Sequence, residues 1–249
     1  MSFPTPDVAA VTALAPAGTL RAAINLSNFL LVSSVEADGT PVGVSPDMAK
    51  ALADALGVGI EYQTYPNPGD VADAARDGAW DIGNIGAEPA RAEFIDFTEA
   101  YAEIESTYLL PAGSSLTSFD DVDQPGVRIS VKARAAYALW LERNLEHATL
   151  VESESLDSSF DVFIDQGLDA LAGLRPRLTA DAERLPGSAV LPGKFSSVQQ
   201  AMGTPKDRDP AGAAYLHRFV EAAKASGFVA DAIERHGAAG LSVGPLATT

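Results

Sequence analysis

GAWDIGNIGAEPARAEFIDFTEAY, residues 78–101, places a turn, a strand, a break and an arginine in close succession. Asp77-Gly78 is a turn signal. Residues 80–85 form a short, largely apolar run of strand length. The run gives way at Gly86-Ala87-Glu88-Pro89-Ala90-Arg91, where polar residues and a proline cannot continue it.

Working upstream, residues 20–26 predict a first strand after the breaker Gly18, and Asn25, Ser27 and Asn28 gather where it ends. Asp38-Gly39 is a turn. Met48, Leu52, Ala55 and Leu56 recur at helical spacing, and Gly57 supplies a C-terminal stop. Residues 60–65 predict a second strand, broken by Pro66, Pro68 and Gly69, and residues 71–76 a short helix. With residues 80–85 as the third strand, the order is strand–helix–strand–helix–strand. That order implies an α/β fold with a largely parallel sheet and right-handed crossovers.

Downstream the pattern repeats. Residues 106–110 predict a strand ending at Pro111, and a Gly/Ser/Thr stretch follows at 113–118. Residues 127–131 predict a strand, 135–145 a helix, and 168–171 and 198–202 two more strands. Residues 211–236 are helical in pattern, with Leu216, Phe219, Val220 and Ala223 on one face and an interruption at Gly227. No linker is long enough to separate independent domains.

The 249 residues carry 34 acidic against 17 basic side chains, a net charge of −17. That field repels a polyanion, which argues against a nucleic-acid partner. The absence of cysteine rules out disulfides, thiolate metal sites and cysteine nucleophiles. No run approaches the ~20 apolar residues that span a bilayer. The first 20 residues lack a basic start and a continuous apolar stretch, so they do not read as a signal peptide. Two localisations stay open: cytoplasmic with Met1 as native start, or extracytoplasmic with a leader removed upstream.

Familiar catalytic patterns are missing. There is no dinucleotide fingerprint and no nucleophile elbow, and residues 187–194 fail the phosphate-loop spacing. His147, His217 and His236 sit in helical, polar surroundings without metal-ligand spacing, so no metal and no cofactor is expected. The remaining chemistry lies after the third strand. Ligands of open α/β sheets bind at the carboxyl ends of strands. An arginine there grips a carboxylate through paired charge-assisted hydrogen bonds. The alternative is a surface Glu88–Arg91 pair worth about 0.5 kcal/mol.

Several segments resemble the bacterial extracellular solute-binding proteins of family 3, the amino-acid-type binding components of ABC transporters. They are Gly18-Thr19-Leu20-Arg21, residues 39–56, Gly78-Ala79-Trp80-Asp81, the RAEFIDFTEAY of residues 91–101, residues 119–131, and Gly167-Leu168-Asp169-Ala170. The resemblance implies a type II periplasmic-binding-protein fold, with two α/β lobes joined by crossing hinge strands near 105–110 and 195–202. Lobe 1 would comprise residues 1–108 and 200–249, and lobe 2 residues 109–199. The ligand would lie between the lobes and draw them closed. The family arginine matching Arg91 binds the ligand carboxylate.

The sequence departs from the family around that arginine. Glu88 stands where Thr or Ser is usual. It either accepts from a ligand ammonium or amide, or pairs with Arg91 at i,i+3. Lys132-Ala133-Arg134-Ala135-Ala136-Tyr137 replaces the second lobe's small, glycine-containing anion loop, and Tyr137 either stacks on the ligand or fills core. Leu174 occupies the position of the amino-group-binding Asp, and Asn28 that of the aromatic wall. Asn25, Asn28 and Gln200 suggest hydrogen bonds to a neutral polar group. The expected ligand set is therefore Arg91, Glu88, Asn25, Asn28, Gly86, Lys132, Arg134, Tyr137 and Gln200.

The leading expectation is a monomeric, non-catalytic binder of a small carboxylate-bearing or amino-acid-like solute, with an ABC-transporter permease as possible partner. Two rivals remain. One is a lyase on this scaffold, similar to the cyclohexadienyl dehydratases, with Glu88 as acid or base. The other is a cytoplasmic ligand-sensing module.

Overall fold

The computed structural model describes residues 3–247. The chain opens with α1 (Val8–Leu14), β1 (Thr19–Asn25), the short β2 (Ser34–Val35) and β3 (Pro41–Val42), α2 (Val44–Leu56), β4 (Gly59–Tyr65) and α3 (Pro68–Arg76). Next come β5 (Ile82–Gly86), α4 (Pro89–Ala92), β6 (Ile95–Phe97) and β7 (Ala102–Leu110). A second series holds α5 (Phe119–Val122), β8 (Arg128–Lys132), α6 (Ala136–Asn144), β9 (Thr149–Ser153), α7 (Leu156–Asp165), β10 (Ala170–Leu174), α8 (Arg175–Arg184) and β11 (Ala189–Val190). The chain finishes with β12 (Ser196–Pro205), α9 (Pro210–Ala225), α10 (Phe228–Arg235) and β13 (Leu241–Val243). It divides into two compact units: residues up to Glu103 together with those from Gln199 onward, and Ile104–Val198. The passages from one to the other run through β7 and β12.

In the first unit β4, β1 and β5 lie parallel in that order, and β12 continues the sheet antiparallel to β5. Alternation along β1 sends Leu20, Ala22 and Ile24 into one core with Met48 and Leu52 of α2 and with Tyr215, Leu216, Phe219 and Val220 of α9. Ala23 faces the other core, with Val71, Ala72 and Ala75 of α3, Trp80 and Ile85. The helices therefore cover both faces, as the apolar β strands require. Pro68 does not break α3 but starts it, because the first helical position needs no N–H.

A charged hub closes this unit beneath β1. Asp81, 1% exposed at its side chain, accepts from the Arg21 backbone N–H at 2.8 Å and from Arg21 Nη2 at 2.8 Å, and Arg208 Nη2 lies 2.7 Å away. Arg208 also donates to the carbonyls of Ala13 and Trp80. At the entry to α2, Gly43 has φ +152°, and a Cβ there would sit 2.2 Å from the Leu31 carbonyl oxygen. Only glycine fits that approach.

The second unit sets β10, β8 and β9 parallel, with β7 antiparallel to β10. Phe160 and Phe163 of α7 pack with Leu109, Leu168, Leu171 and Leu178. The strand expected at 168–171 begins instead at Ala170, because Leu168 closes the end of α7 through its N–H to Phe163 O. α7, α8 and β9 had no prediction from the sequence pattern. Gly227 interrupts the last helices as expected, at φ +83°.

Two histidines lie outside the helices expected for them, although their surroundings are polar. His147 lies in a loop where its N–H donates to Asp123, and His236 caps α10 with Nε2 2.8 Å from Asp47.

All six tyrosines have their phenols pushed above the ordinary value, with burial the largest cause in each and Tyr62 reaching about 12. The folded state thus favours the neutral phenol. That contribution is intact below about pH 10 and is lost as pH rises through the folded values. The tyrosinate absorbance step should therefore lag behind pH 10 and coincide with loss of circular dichroism. A full step at pH 10 with the fold intact would contradict this burial.

Candidate functional site

The winding of the first unit reverses between β1 and β5. The β1-to-β4 connection runs over one face through α2, and the β4-to-β5 connection over the other through α3. Such a reversal leaves a crevice at the carboxyl ends of the strands, where open α/β sheets bind ligands. β1 ends there on Asn25 and β5 on Gly86.

Beyond Gly86 the chain makes a tight corner. The Ala87 N–H donates to Gln199 O at 2.8 Å, which fastens the corner to β12. Glu88 is the N-cap residue of α4, its carbonyl accepting from the N–H groups of Arg91 and Ala92 at 2.9 Å each. Pro89 opens the helix, and its fixed φ suits that position. Arg91 then folds back, and its Nη1 donates to Gly86 O at 2.7 Å. The guanidinium is thereby aimed along the strand end. Arg91 is 4% exposed and Glu88 8%. Charges are almost never buried to that degree unless partnered. Neither residue is on the surface.

Gln200 is paired in register with Gly86 on β12 and is buried. Asn25 and Asn28 are buried too, but the oxygen of each amide serves its own loop. Asn25 Oδ1 accepts from the Ser27 N–H and hydroxyl, and Asn28 Oδ1 from the Leu30 N–H. The first unit thus sets Gly86, Glu88, Arg91 and Gln200 at one strand edge, with Asn25 at the end of the neighbouring β1 and Asn28 in the loop that follows it.

Lys132, Arg134 and Tyr137 belong to the second unit and form a separate group there. Lys132 ends β8 and is 4% exposed. The Ala133 N–H donates to Ser153 O at 2.8 Å, which ties the turn to β9. Arg134, at φ +59°, is the one non-glycine residue with positive φ among the described residues. Such backbone strain persists where the surroundings hold it. α6 begins just beyond, without a side-chain cap. Tyr137 lies buried in its first turn. Leu174 ends β10, buried and apolar.

Residues 24–239 match the bacterial extracellular solute-binding proteins, family 3. The chain belongs to that family. It is accordingly a solute-binding protein of that family. No curated protein sequence is significantly similar to it. Among solved structures it resembles an ancestral amino acid-binding protein described as a precursor of cyclohexadienyl dehydratase, with 21% identity over 92% of this chain and 99% of that one and a TM-score of 0.73. It also resembles the solute receptor for L-cysteine of Neisseria gonorrhoeae, at 22% identity, 92% and 93% coverage and a TM-score of 0.72. A third is an amino acid ABC transporter substrate-binding protein of Streptococcus pneumoniae bound to L-arginine, at 19%, 90% and 96%, with a TM-score of 0.71. The fold is that of the type II periplasmic binding proteins.

The family segment at 91–101 has a structural role as well as its arginine. β6 pairs with β12, Phe97 opposite Gly203. A Cβ on Gly203 would meet Ile95 Cγ2 at 2.5 Å, so glycine is needed for that approach. The Thr98 N–H donates to Met202 O, and Thr98 Oγ1 accepts from the Met202 N–H. Ser45, Thr98 and Tyr101 entered the sequence reading only as part of family segments, and Asn84 only within the third strand; Ser45, Asn84 and Tyr101 are buried polar side chains. The visible signal was Asn84, a polar residue inside an otherwise apolar strand.

Proposed function

We propose that the protein captures a small carboxylate-bearing, amino-acid-like solute and that Arg91 takes the carboxylate. The observation that carries this reading is the buried Arg91 guanidinium, oriented by Gly86 O at the carboxyl edge of β5. A planar fork in a desolvated setting suits a carboxylate better than any neutral group. Glu88 beside it accepts from an ammonium or amide on the same solute, and Gln200, Asn25 and Asn28 line the approach. Lys132, Arg134 and Tyr137 are the second unit's candidate ligand residues. Leu174 in place of an acid argues against a standard α-amino-acid mode. The protein acts as a monomer that delivers its solute to an ABC-transporter permease.

A thermal-shift panel of small carboxylates and their neutral amides tests the reading. Solute at about 100 times Kd contributes about 2.7 kcal/mol, a rise of roughly 5–10 °C for a chain of this size. The carboxylates should raise Tm, the matched amides should not, and the stabilising compound should be recovered unchanged. Stabilisation by neutral sugars or by cations alone would contradict the proposal.

A further inference from the structure

We infer that the first unit holds a buried structural water on Ser45, Asn84 and Tyr101. Alternation along β5 puts Asn84 on the same side as Ile82, in the core shared with α2. Its amide Nδ2 donates to Ser45 O at 3.2 Å, while its Oδ1 has no hydrogen-bond partner. Ser45, in the first turn of α2, has its N–H on Leu31 O and its hydroxyl unpaired. Tyr101 is fully buried in the same core, and its hydroxyl is also unpaired. Burial pushes that phenol upward, and the nearby Ser45 side chain opposes the push. α2, β5 and the segment just ahead of β7 thus each carry one unsatisfied oxygen into this buried core.

Leaving buried polar groups unpaired is costly, and native proteins pair nearly all of them. One water fits the set. Its two O–H groups donate to Asn84 Oδ1 and Ser45 Oγ, and its oxygen accepts from the Tyr101 hydroxyl, the three bonds usual for an internal water. A metal cation does not fit, because the set contains no carboxylate and the charge would lie uncompensated in an apolar core. The water would join the start of α2 and β5, two residues before Gly86, to the segment just ahead of β7. It braces from below the strand end on which Arg91 is aimed, and it does not depend on the identity of the solute.

A crystal structure at a resolution that orders internal waters tests this. The expected result is a single peak within hydrogen-bond distance of all three oxygens. No peak, with Ser45 Oγ bonded directly to Tyr101 Oη, overturns it. Oxygen-17 relaxation dispersion gives an independent reading on protein in solution. Tyr101→Phe and Ser45→Ala should each lower the number of long-lived internal waters by one relative to the parent, and an unchanged number in both folded variants overturns the inference.

Discussion

Asp81→Ala should lower the melting temperature by about 10 °C, the largest stability loss expected of any single change. Asp81 holds the guanidinium groups of Arg21 and Arg208 together with the Arg21 backbone N–H. Its own side chain is sealed from solvent, and Arg208 is largely enclosed. Removing the carboxylate leaves two cations facing each other with no anion between them. Breaking a buried ion network from one side costs about 3–5 kcal/mol, because the remaining charge is stranded. For a chain of this size each kcal/mol moves Tm by about 2–4 °C. Asp81→Asn keeps the shape and loses the charge, so it should fall between the parent and Asp81→Ala. Thermal unfolding followed by circular dichroism checks the series. A shift below about 2 °C for Asp81→Ala would mean that the hub contributes little, in line with the low median for exposed pairs.

Arg91→Ala should weaken carboxylate binding about 10²- to 10³-fold, or about 3–4 kcal/mol. The loss has two parts. The paired hydrogen bonds to the carboxylate go, and the carboxylate is then desolvated with no cation to meet it. Arg91→Lys keeps the charge but cannot reproduce the fork or reach Gly86 O in the same geometry, so it should recover only part of the affinity. Calorimetric titration of both variants with the stabilising solute from the panel provides the measurement. A Kd unchanged by Arg91→Ala removes Arg91 from the binding site.

The legible part of the fold was the part built from regular periodicity. β1, α2, β4, α3 and β5 carry apolar positions at clear spacing, bounded by Gly18, Gly57 and Gly78. The illegible parts had physical reasons. β6 and α4 are too short to show a period, and β6 is held by pairing with β12. α7 begins with the capping pair Ser155–Ser158, a weaker signal than Ser with Glu. β10 shifted because a run such as Leu168–Leu171 cannot say where helix packing ends and pairing begins. The position of Arg91 after a strand left a Glu88–Arg91 pair open as well, and the family segment at residues 91–101 is what pointed to Arg91 as a ligand residue. The roles of Asn25 and Asn28 were not legible, since turn formation and ligand binding call for the same amides. The Asp81 hub was hidden for another reason: Arg208 reaches it from beyond the whole second unit.

The central claim is that a buried arginine on the carboxyl edge of β5 holds an anionic solute. Its most direct test is a crystal structure of the protein with the solute that copurifies or that the panel selects. The account predicts carboxylate oxygens about 3 Å from the Arg91 guanidinium nitrogens, with Glu88 and Gln200 in the surrounding shell. A solute without an anionic group, or one seated away from Arg91, would contradict it.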